Sequence, residues 1–451
     1  MVLRVVHHFQ LRLERYKLVS KRAVRDDLMR DHAVKRAVEE HCRAHSLSET
    51  EGSALVEDYV NEIVPFFDVL SYYKLGYNIA RLILSLLYRV TSEYQDIESL
   101  KQIPKSDIVI YLMNHRSNAD YVVVAYVLAH GVSISYAVGE WARVWPLEYV
   151  FKSFGAYFVR RGFREPLYHT VLERYVQLIT RNGVTQGIFL EGGLSRNGLL
   201  QPAKLGLLDY SARVILEPGF KRDIWLVPVA INYDRVLEDR TLTRELIDEH
   251  ERPGRWHQLS TVLQYLLFNF VRLLTGNLKR YGKAAVNFGT PISIRQWSAQ
   301  NPGVLENPRE DRLRQLQELG DEVMSRIAAI MPITPVPLVA AALLSFGETL
   351  IGREELLDRI DEYRDHLRSS GGKLVRGDQG AEAIMDRAWR MLSMRRLVVN
   401  NGGAYVILPS QRSLLEYYAN SVTHLLPEQP KRRPMHPAHD TDPSLPRLRG
   451  V

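Results

Sequence analysis

Strand-like and helix-like segments alternate from Lys105 to Phe288, and this alternation limits the fold more than any other feature. Strands separated by helices predict an α/β domain, with a largely parallel sheet covered by helices on both faces. Two of the predicted helices are Tyr121–His130 and Tyr168–Arg181. The predicted strands are Ile108–Met113, Ser133–Val138, Ala156–Val159, Gln186–Leu190, Ile224–Ile231 and Ala284–Phe288.

Helical segments precede this domain. From Leu55 to Val90 apolar residues recur at helical spacing, which predicts one long or two consecutive amphipathic helices. The apolar run Leu82–Tyr88 fits either packing on the protein core or insertion among lipid headgroups. We therefore expect an N-terminal helical region over residues 1–99 and the α/β domain over residues 100–300.

A third, mostly helical region is predicted over residues 301–426. Within it, Ile351–Leu408 has the order helix, helix, strand, turn, strand, with Asn400–Gly403 as the hairpin turn. This order fits a winged-helix-like module, or a small α+β cap that binds nothing. The tail, residues 427–451, is rich in proline and charge, which predicts disorder.

The composition favours an anionic partner. The 451 residues carry a formal net charge of +7, which suits lipid headgroups, phosphorylated substrates or nucleic acid. One cysteine, Cys42, excludes an intrachain disulfide. Met1–Arg22 lacks the apolar core of a signal peptide. Prolines interrupt the uncharged stretch Ile327–Gly347, so a buried helix over Leu338–Phe346 is expected in place of a membrane span.

The motif Asn114-His115-Arg116-Ser117-Asn118-Ala119-Asp120 directly follows the first predicted strand. A polar loop there lies at the carboxyl edge of a parallel sheet, where α/β enzymes build their sites. Asp120 can hold one nitrogen of the His115 ring while the other nitrogen accepts a proton from a hydroxyl. The spacing also fits a helix-capping aspartate beside a histidine with no catalytic role.

Three further motifs follow strands or lie within one. Gly155–Arg161 carries paired arginines, which suit a phosphate or simply face solvent. Phe189–Gly198 includes Glu-Gly-Gly, a tight turn that brings backbone amides near a ligand, or an ordinary glycine-rich turn. Val227–Asp234 is a buried strand with an early proline, which by itself fits plain core.

In this order and spacing, the four motifs resemble the blocks of the glycerolipid acyltransferases, among them bacterial glycerol-3-phosphate and peroxisomal dihydroxyacetone-phosphate acyltransferases. The resemblance implies His115 as the general base and Asp120 as the group that orients it. It also implies roles in substrate binding for residues of all four blocks and for a nearby lysine. They are Arg116, Ser117, Gly155, Phe158, Arg160, Arg161, Glu191, Gly192, Gly193, Ser195, Arg196, Lys204 and Pro228.

The same resemblance implies the reaction. An acyl group would pass from acyl-CoA or acyl carrier protein to the sn-1 hydroxyl of glycerol 3-phosphate, without a covalent acyl-enzyme. Dihydroxyacetone phosphate is the alternative acceptor, which Phe220-Lys221-Arg222 favours. The expected place is the cytoplasmic face of the cell membrane, as a peripheral protein on an anionic surface.

One position departs from the family pattern. Leu194 stands where family members usually have an arginine in the third block. If that arginine contacts the acceptor phosphate, Arg160, Arg161, Arg196 or Lys204 has to compensate; otherwise the acceptor differs or activity is low. A non-catalytic lipid-binding relative therefore stays open, as does a nucleic-acid or protein scaffold built on the 351–408 module. No cofactor, no metal site and no nucleic-acid partner are expected, since the sequence lacks a nucleotide loop and metal-ligand spacing.

Overall fold

A computed structural model describes residues 20–65, 77–128, 134–139, 143, 147–153, 155–160, 162–247, 281–347, 350–375 and 377–427. The predicted disorder of the C-terminal tail concerns residues outside these ranges, except Pro427. Within them, no helix combines the length and apolarity needed to cross a bilayer.

The central sheet has eight strands and is mostly parallel, as the alternation predicted. Along the sheet the order is β1-β7-β6-β2-β5-β3-β4, with β8 paired to β6. Strand β7 runs parallel to β1 and antiparallel to β6, and the neighbours from β6 to β4 run parallel. The strands are β1 Arg89–Tyr94, β2 Ile108–Met113, β3 Ser135–Gly139, β4 Tyr157–Val159, β5 Gln186–Phe189, β6 Ile224–Tyr233, β7 Lys283–Phe288 and β8 Ile292–Ser293.

Strand β1 was not predicted. Its sequence, Arg-Val-Thr-Ser-Glu-Tyr, is mostly polar and lacks the apolar run of a buried strand. It lies at the edge of the sheet beside β7, where half-exposed polar residues are tolerated. The sheet therefore begins before residue 100, the expected start of the α/β domain.

Helices cover both faces of the sheet. On one face, even-numbered residues of β2 and β6 join a core with the long helix α12. On the other, odd-numbered residues of the same strands join a core that extends into the C-terminal region. The helices up to the end of the sheet region are α1 Lys21–Arg30, α2 His32–His45, α3 Glu49–Ile63, α4 Tyr77–Leu87, α5 Ile97–Gln102, α6 Asp120–Leu128, α7 Leu147–Ser153, α8 Pro166–Arg181, α9 Gly206–Ala212, α10 Asp239–Ile247, α11 Ile294–Gln300 and α12 Arg309–Ala329.

The segment predicted to form one or two amphipathic helices contains α3 and α4. Leu84, Leu87 and Tyr88 are buried in the core shared with the sheet, so packing on protein is the observed outcome for this face. Helices α1 to α3 form a separate apolar cluster against α8.

The C-terminal region is built around the buried helix α13, which begins at Pro335. This is the helix expected after the proline-rich turn: proline fits the first turn because its missing N–H would have no partner there. The elements of this region are β9 Pro332–Ile333, α13 Pro335–Ser345, β10 Ile351–Gly352, α14 Arg353–Ser369, β11 Lys373–Leu374, α15 Ala381–Met394, β12 Val398–Asn401, β13 Ala404–Ile407 and α16 Arg412–Ala419.

The predicted hairpin is present and joins a third strand. Gly402 and Gly403 form its two-residue turn with φ of 63° and 95°, the left-handed backbone that glycine adopts without strain. Strand β10 pairs with β13, which makes a three-stranded sheet beside α14 and α15. Helices α14 and α15 followed by the β12–β13 hairpin give the order helix, helix, strand, turn, strand that the sequence predicted.

Candidate active site

His115 and Asp120 meet at the carboxyl end of β2. The ring Nδ1 of His115 lies 2.9 Å from Asp120 Oδ2, and both side chains are completely buried. Strand β2 ends at Met113 and helix α6 begins at Asp120, so the loop between them turns the two side chains toward each other. The predicted catalytic pair is therefore formed in the structure.

Asp120 accepts four hydrogen bonds. Besides His115, its Oδ2 accepts from the backbone N–H groups of Arg116, at 2.7 Å, and Ser117, at 3.0 Å. Its Oδ1 accepts from the Tyr233 hydroxyl at 2.5 Å. These donors fix the position of the Asp120 carboxyl group, which accepts from His115 Nδ1 and so orients the ring.

The His115 ring lies on an aromatic platform. It stacks on Phe189 with centroids 4.1 Å apart and meets the edge of Tyr121 at 5.5 Å. Its backbone N–H donates to Glu191 Oε1 at 3.2 Å, and its carbonyl accepts from the Ser195 N–H at 3.0 Å. The first and third motifs are thus physically joined, because β2 and β5 are neighbouring parallel strands.

Contacts from β6 and the segment after it fix the catalytic loop from the other side. The Asn114 amide bridges both backbone groups of Ile231, at 2.7 and 3.0 Å. Glu238, which sequence reasoning missed, accepts from the Ser117 hydroxyl at 2.7 Å and from the Asn118 N–H at 3.2 Å. Burial raises the pKa of Glu238 to about 7. Only its place shortly after the fourth motif hinted at this role.

Glu191 is a buried carboxyl next to the catalytic pair. It is 5% exposed, and desolvation raises its pKa to about 8. The hydrogen bond from the His115 backbone and the charge of Arg116 lower that pKa and offset part of the shift. At neutral pH the group is mostly protonated, so it can donate a hydrogen bond as well as accept one.

Arg116 extends from the same loop toward the C-terminal region. Its side chain is buried, with Nη1 donating to the Gly198 carbonyl at 2.5 Å and the guanidinium 4.7 Å from the centre of the Tyr417 ring. Tyr417 belongs to α16, so a helix near the end of the described chain forms one wall of the site. Sequence reasoning had not placed this helix at the site.

The second motif lies farther along the sheet. Two strands, β5 and β3, separate β4 from β2. Arg160 donates to the buried Glu62 at 2.8 and 2.5 Å and packs over the rings of Phe163 and Tyr168. Its fork is thus occupied by a carboxylate from α3.

The other predicted residues of this motif are backbone and core positions. Gly155, with φ of 82°, turns the chain into β4, and the Phe158 side chain is fully buried. Arg161 lies outside the described residues. None of the described contacts of these residues reaches His115.

The third motif supports the site mainly through its backbone. Gly192 has φ of 68°, and an added Cβ would lie 2.8 Å from Lys204 Cγ, so the turn requires glycine. The Ser195 hydroxyl donates to the Leu199 carbonyl at 2.7 Å inside the same loop. Leu194 packs against the core shared with Phe189.

Two of the cations that could replace an arginine at position 194, Arg196 and Lys204, are exposed. Gly193, between the turn and Leu194, is half-buried.

Pro228 lies on the far face of the sheet from the His115 ring. Its even-numbered neighbours Leu226 and Ala230 join the core with α12, whereas His115 follows the odd-numbered face. An added Cβ on Gly289 would lie 3.3 Å from Pro228 Cβ and 3.2 Å from Ile330. Pro228 thus shapes the core under β6.

A buried histidine oriented by a carboxylate at this edge defines an α/β enzyme site able to take a proton from a hydroxyl. Two family models match the chain: "Acyltransferase" over residues 95–232 and "Glycerol-3-phosphate acyltransferase C-terminal region" over residues 267–429. They confirm the resemblance to the glycerol-3-phosphate acyltransferases.

Curated relatives carry the same family name. The chain is 27% identical over 422 residues to "Glycerol-3-phosphate acyltransferase" of Aeromonas hydrophila, covering 91% of this chain and 50% of that protein. It is 28% identical over 422 residues to the protein of that name from Shewanella loihica, covering 88% and 49%. The chain thus spans about half the length of the curated relatives it matches.

A solved structure was also found. The 1-acyl-sn-glycerophosphate acyltransferase of Thermotoga maritima is 18% identical, with a TM-score of 0.32, and the match covers 57% of this chain and 79% of that one.

Proposed function

We propose that this chain transfers a fatty acyl group from a thioester to the sn-1 hydroxyl of glycerol 3-phosphate. The observation that carries the proposal is the buried His115–Asp120 pair, joined at 2.9 Å and fixed by Tyr233 and two backbone N–H groups. Relatives named for this activity, which match most of the chain, support the acceptor.

The chemistry follows from the geometry of the pair. Since Asp120 holds Nδ1, the ring nitrogen that takes the proton from the acceptor hydroxyl is Nε2. The hydroxyl oxygen attacks the thioester carbonyl carbon, the carbon–sulfur bond breaks, and the imidazolium gives its proton to the departing thiolate, which regenerates neutral His115. The products are an ester and a free thiol.

The donor is acyl-CoA or acyl carrier protein, and the working surface is an anionic membrane at the cytoplasmic face, where the protein binds peripherally. The net charge of +7 supports attraction to such a surface. On α4, Leu82 is 46% exposed beside the exposed Arg81, a pairing suited to a headgroup layer. Cosedimentation with anionic and neutral vesicles at low and high salt tests this part: equal binding to both would contradict it.

The deciding experiment is acyl transfer to radiolabelled glycerol 3-phosphate, with acyl-CoA and then acyl carrier protein as donor, in the presence of liposomes. Wild type should form the acylated product, and His115→Ala should lose about 10²–10⁴-fold in rate, the usual contribution of a general base. His366→Ala, a substitution of an exposed histidine on α14, is the matched control and should keep full rate. Acylation at wild-type rate by His115→Ala would refute the mechanism.

Dihydroxyacetone phosphate is the second candidate acceptor, kept because Leu194 departs from the expected arginine. Parallel assays with both labelled acceptors distinguish them by kcat/KM. Turnover of neither acceptor, with vesicle binding intact, would support a non-catalytic lipid-binding protein.

A further inference from the structure

Arg116 is a buried cation with unused hydrogen-bonding capacity. Only 2% of it is exposed, and among the described residues Nε and Nη2 have no hydrogen-bond partner. Nη1 donates to a carbonyl, which does not neutralise the charge. A buried guanidinium is normally paired, because leaving a charge and its donors unsatisfied away from water is costly.

Among the described residues, no carboxylate forms a hydrogen bond with the Arg116 guanidinium. The charge of Arg116 lowers the pKa of the nearby Glu191, yet no hydrogen bond joins the two side chains in the described structure. Oε2 of Glu191 also has no hydrogen-bond partner among the described residues. The guanidinium thus keeps two N–H groups for an acceptor that carries negative charge.

The shape of the Arg116 guanidinium and its place in the loop indicate which class of anion it binds. Two N–H donors on adjacent nitrogens of a planar fork match two oxygens of one phosphate or carboxylate. Arg116 directly follows His115 in the loop, and glycerol 3-phosphate carries a phosphate and the reacting hydroxyl within one small molecule. In a CoA thioester the phosphates lie many bonds from the reacting carbonyl, which makes the donor a poorer fit.

Helix α16 fixes the direction of this fork. The Tyr417 ring lies 4.7 Å from the guanidinium, and the Asn420 amide donates to the Asn197 carbonyl at 2.8 Å, next to the Gly198 that binds Nη1. An added Cβ on Gly198 would overlap the Tyr417 backbone, so this approach depends on glycine. The C-terminal region thereby orients an arginine of the catalytic loop.

We infer that Arg116, held by Tyr417 and the Gly198 carbonyl, anchors the phosphate of the acyl acceptor, and that α16 is a structural part of the acceptor site. The inference rests on the proposed function and adds the residue that binds the phosphate in a chain with Leu194 in the third block. It assigns the C-terminal region a positioning role in substrate recognition.

The test is binding without turnover, measured by titration calorimetry with inorganic phosphate, glycerol 3-phosphate, glycerol and CoA. Wild type should bind phosphate and glycerol 3-phosphate, and should not bind glycerol in the same concentration range. Arg116→Met should weaken both anions about tenfold to about a hundredfold, as expected for loss of a charged hydrogen bond, and leave CoA unchanged. Arg390→Met, at an exposed arginine of α15, is the matched control and should bind as wild type does.

Kinetics distinguish anchoring from a general structural role. Arg116→Lys keeps the charge and loses the fork, so it should raise the acceptor KM severalfold with kcat and donor KM nearly unchanged. It also carries the test if Arg116→Met does not fold. Wild-type affinity for glycerol 3-phosphate in either variant would overturn the inference, as would a loss confined to CoA. If the Arg116 variants acylate glycerol 3-phosphate with the wild-type acceptor KM, only the anchoring role of Arg116 is refuted. If wild type shows no acylation while its phosphate binding depends on Arg116, only the proposed function is refuted.

Discussion

Arg160 and Arg116 each have a buried glutamate nearby, and they differ in what that glutamate does. Arg160 forms a fork of two hydrogen bonds with Glu62, at 2.8 and 2.5 Å. Arg116 has Glu191 nearby without a hydrogen bond to it, and two of its nitrogens have no partner within the described ranges. The Arg160–Glu62 pair joins α3 to β4, whereas two nitrogens of Arg116 remain available to a ligand in the described structure. An arginine therefore indicates an anion-binding site only where no carboxylate of the protein already binds its guanidinium.

Substitution at Asp120 should give the largest effect in the loop that carries Arg116. Asp120→Asn retains the shape but not the charge that orients His115, and we expect kcat to fall roughly 10³–10⁴-fold. Calorimetric binding of glycerol 3-phosphate should persist, since the Arg116 side chain keeps its contacts with the Gly198 carbonyl and the Tyr417 ring. More than a tenth of wild-type kcat in this variant would show that the pair is not the catalytic centre.

The carboxyl next to Arg116 should make stability depend on pH. The pKa of Glu191 is about 8 in the folded protein, above its ordinary value of 4.5. Between these values the unfolded chain releases a proton that the folded chain keeps, so stability falls as pH rises, by up to about 1.4 kcal/mol per unit. Glu191→Gln has no carboxyl group at this position, so this contribution to the pH dependence of stability is lost.

Urea unfolding at pH 5, 6, 7 and 8 measures the difference. The variant should gain stability relative to wild type as the pH rises through this window. Parallel curves for the two proteins would mean that Glu191 titrates normally and that its contact with the His115 backbone does not depend on protonation.

Substitution at Arg160 should affect stability and leave acceptor binding intact. Arg160→Met leaves Glu62 with only Arg143, 3.0 Å away, and we expect the free energy of unfolding to fall by about 1–3 kcal/mol. The acceptor KM should change less than threefold. The double variant Arg160→Met, Glu62→Gln should recover part of the lost stability. A large rise in the acceptor KM of Arg160→Met would instead place the anion site at β4.

The ring over Arg116 should give the smallest effect. Tyr417→Phe keeps the ring and loses only a long hydrogen bond of 3.4 Å to the Arg116 carbonyl, so the acceptor KM should stay within twofold. Tyr417→Leu removes a cation–π contact of about 0.5–2 kcal/mol, and the acceptor KM should rise severalfold. Equal KM values in both variants and wild type would exclude orientation of Arg116 by this ring.

The local sequence predicted the structural features that depend on residues close together in the chain. The β2 strand followed by a polar loop predicted that His115 and Asp120 meet, because strand, loop and helix N-terminus determine their approach within a few residues. The glycine hairpin was predicted for the same reason, whereas α13 begins at Pro335, three residues before its predicted start at Leu338.

The features that were missed depend on distant pairings. The edge strand β1 forms only because β7 offers it a ladder, and its own residues are too polar to predict it. Arg160 pairs with a residue 98 positions earlier, and Tyr417 contacts a loop 301 positions earlier. Periodicity carries no information about which helix face meets which loop at such separations.

The contact between Tyr417 and the catalytic loop has a consequence for how the protein is made. On the ribosome His115 and Asp120 emerge early, whereas α16 emerges some three hundred residues later, since the contact spans 301 positions. Long-range contacts form late in folding. A nascent chain stopped before residue 412 contains His115 and Asp120 and lacks the Tyr417 ring that lies over Arg116. Synthesis thus supplies this ring about three hundred residues after the loop that it contacts.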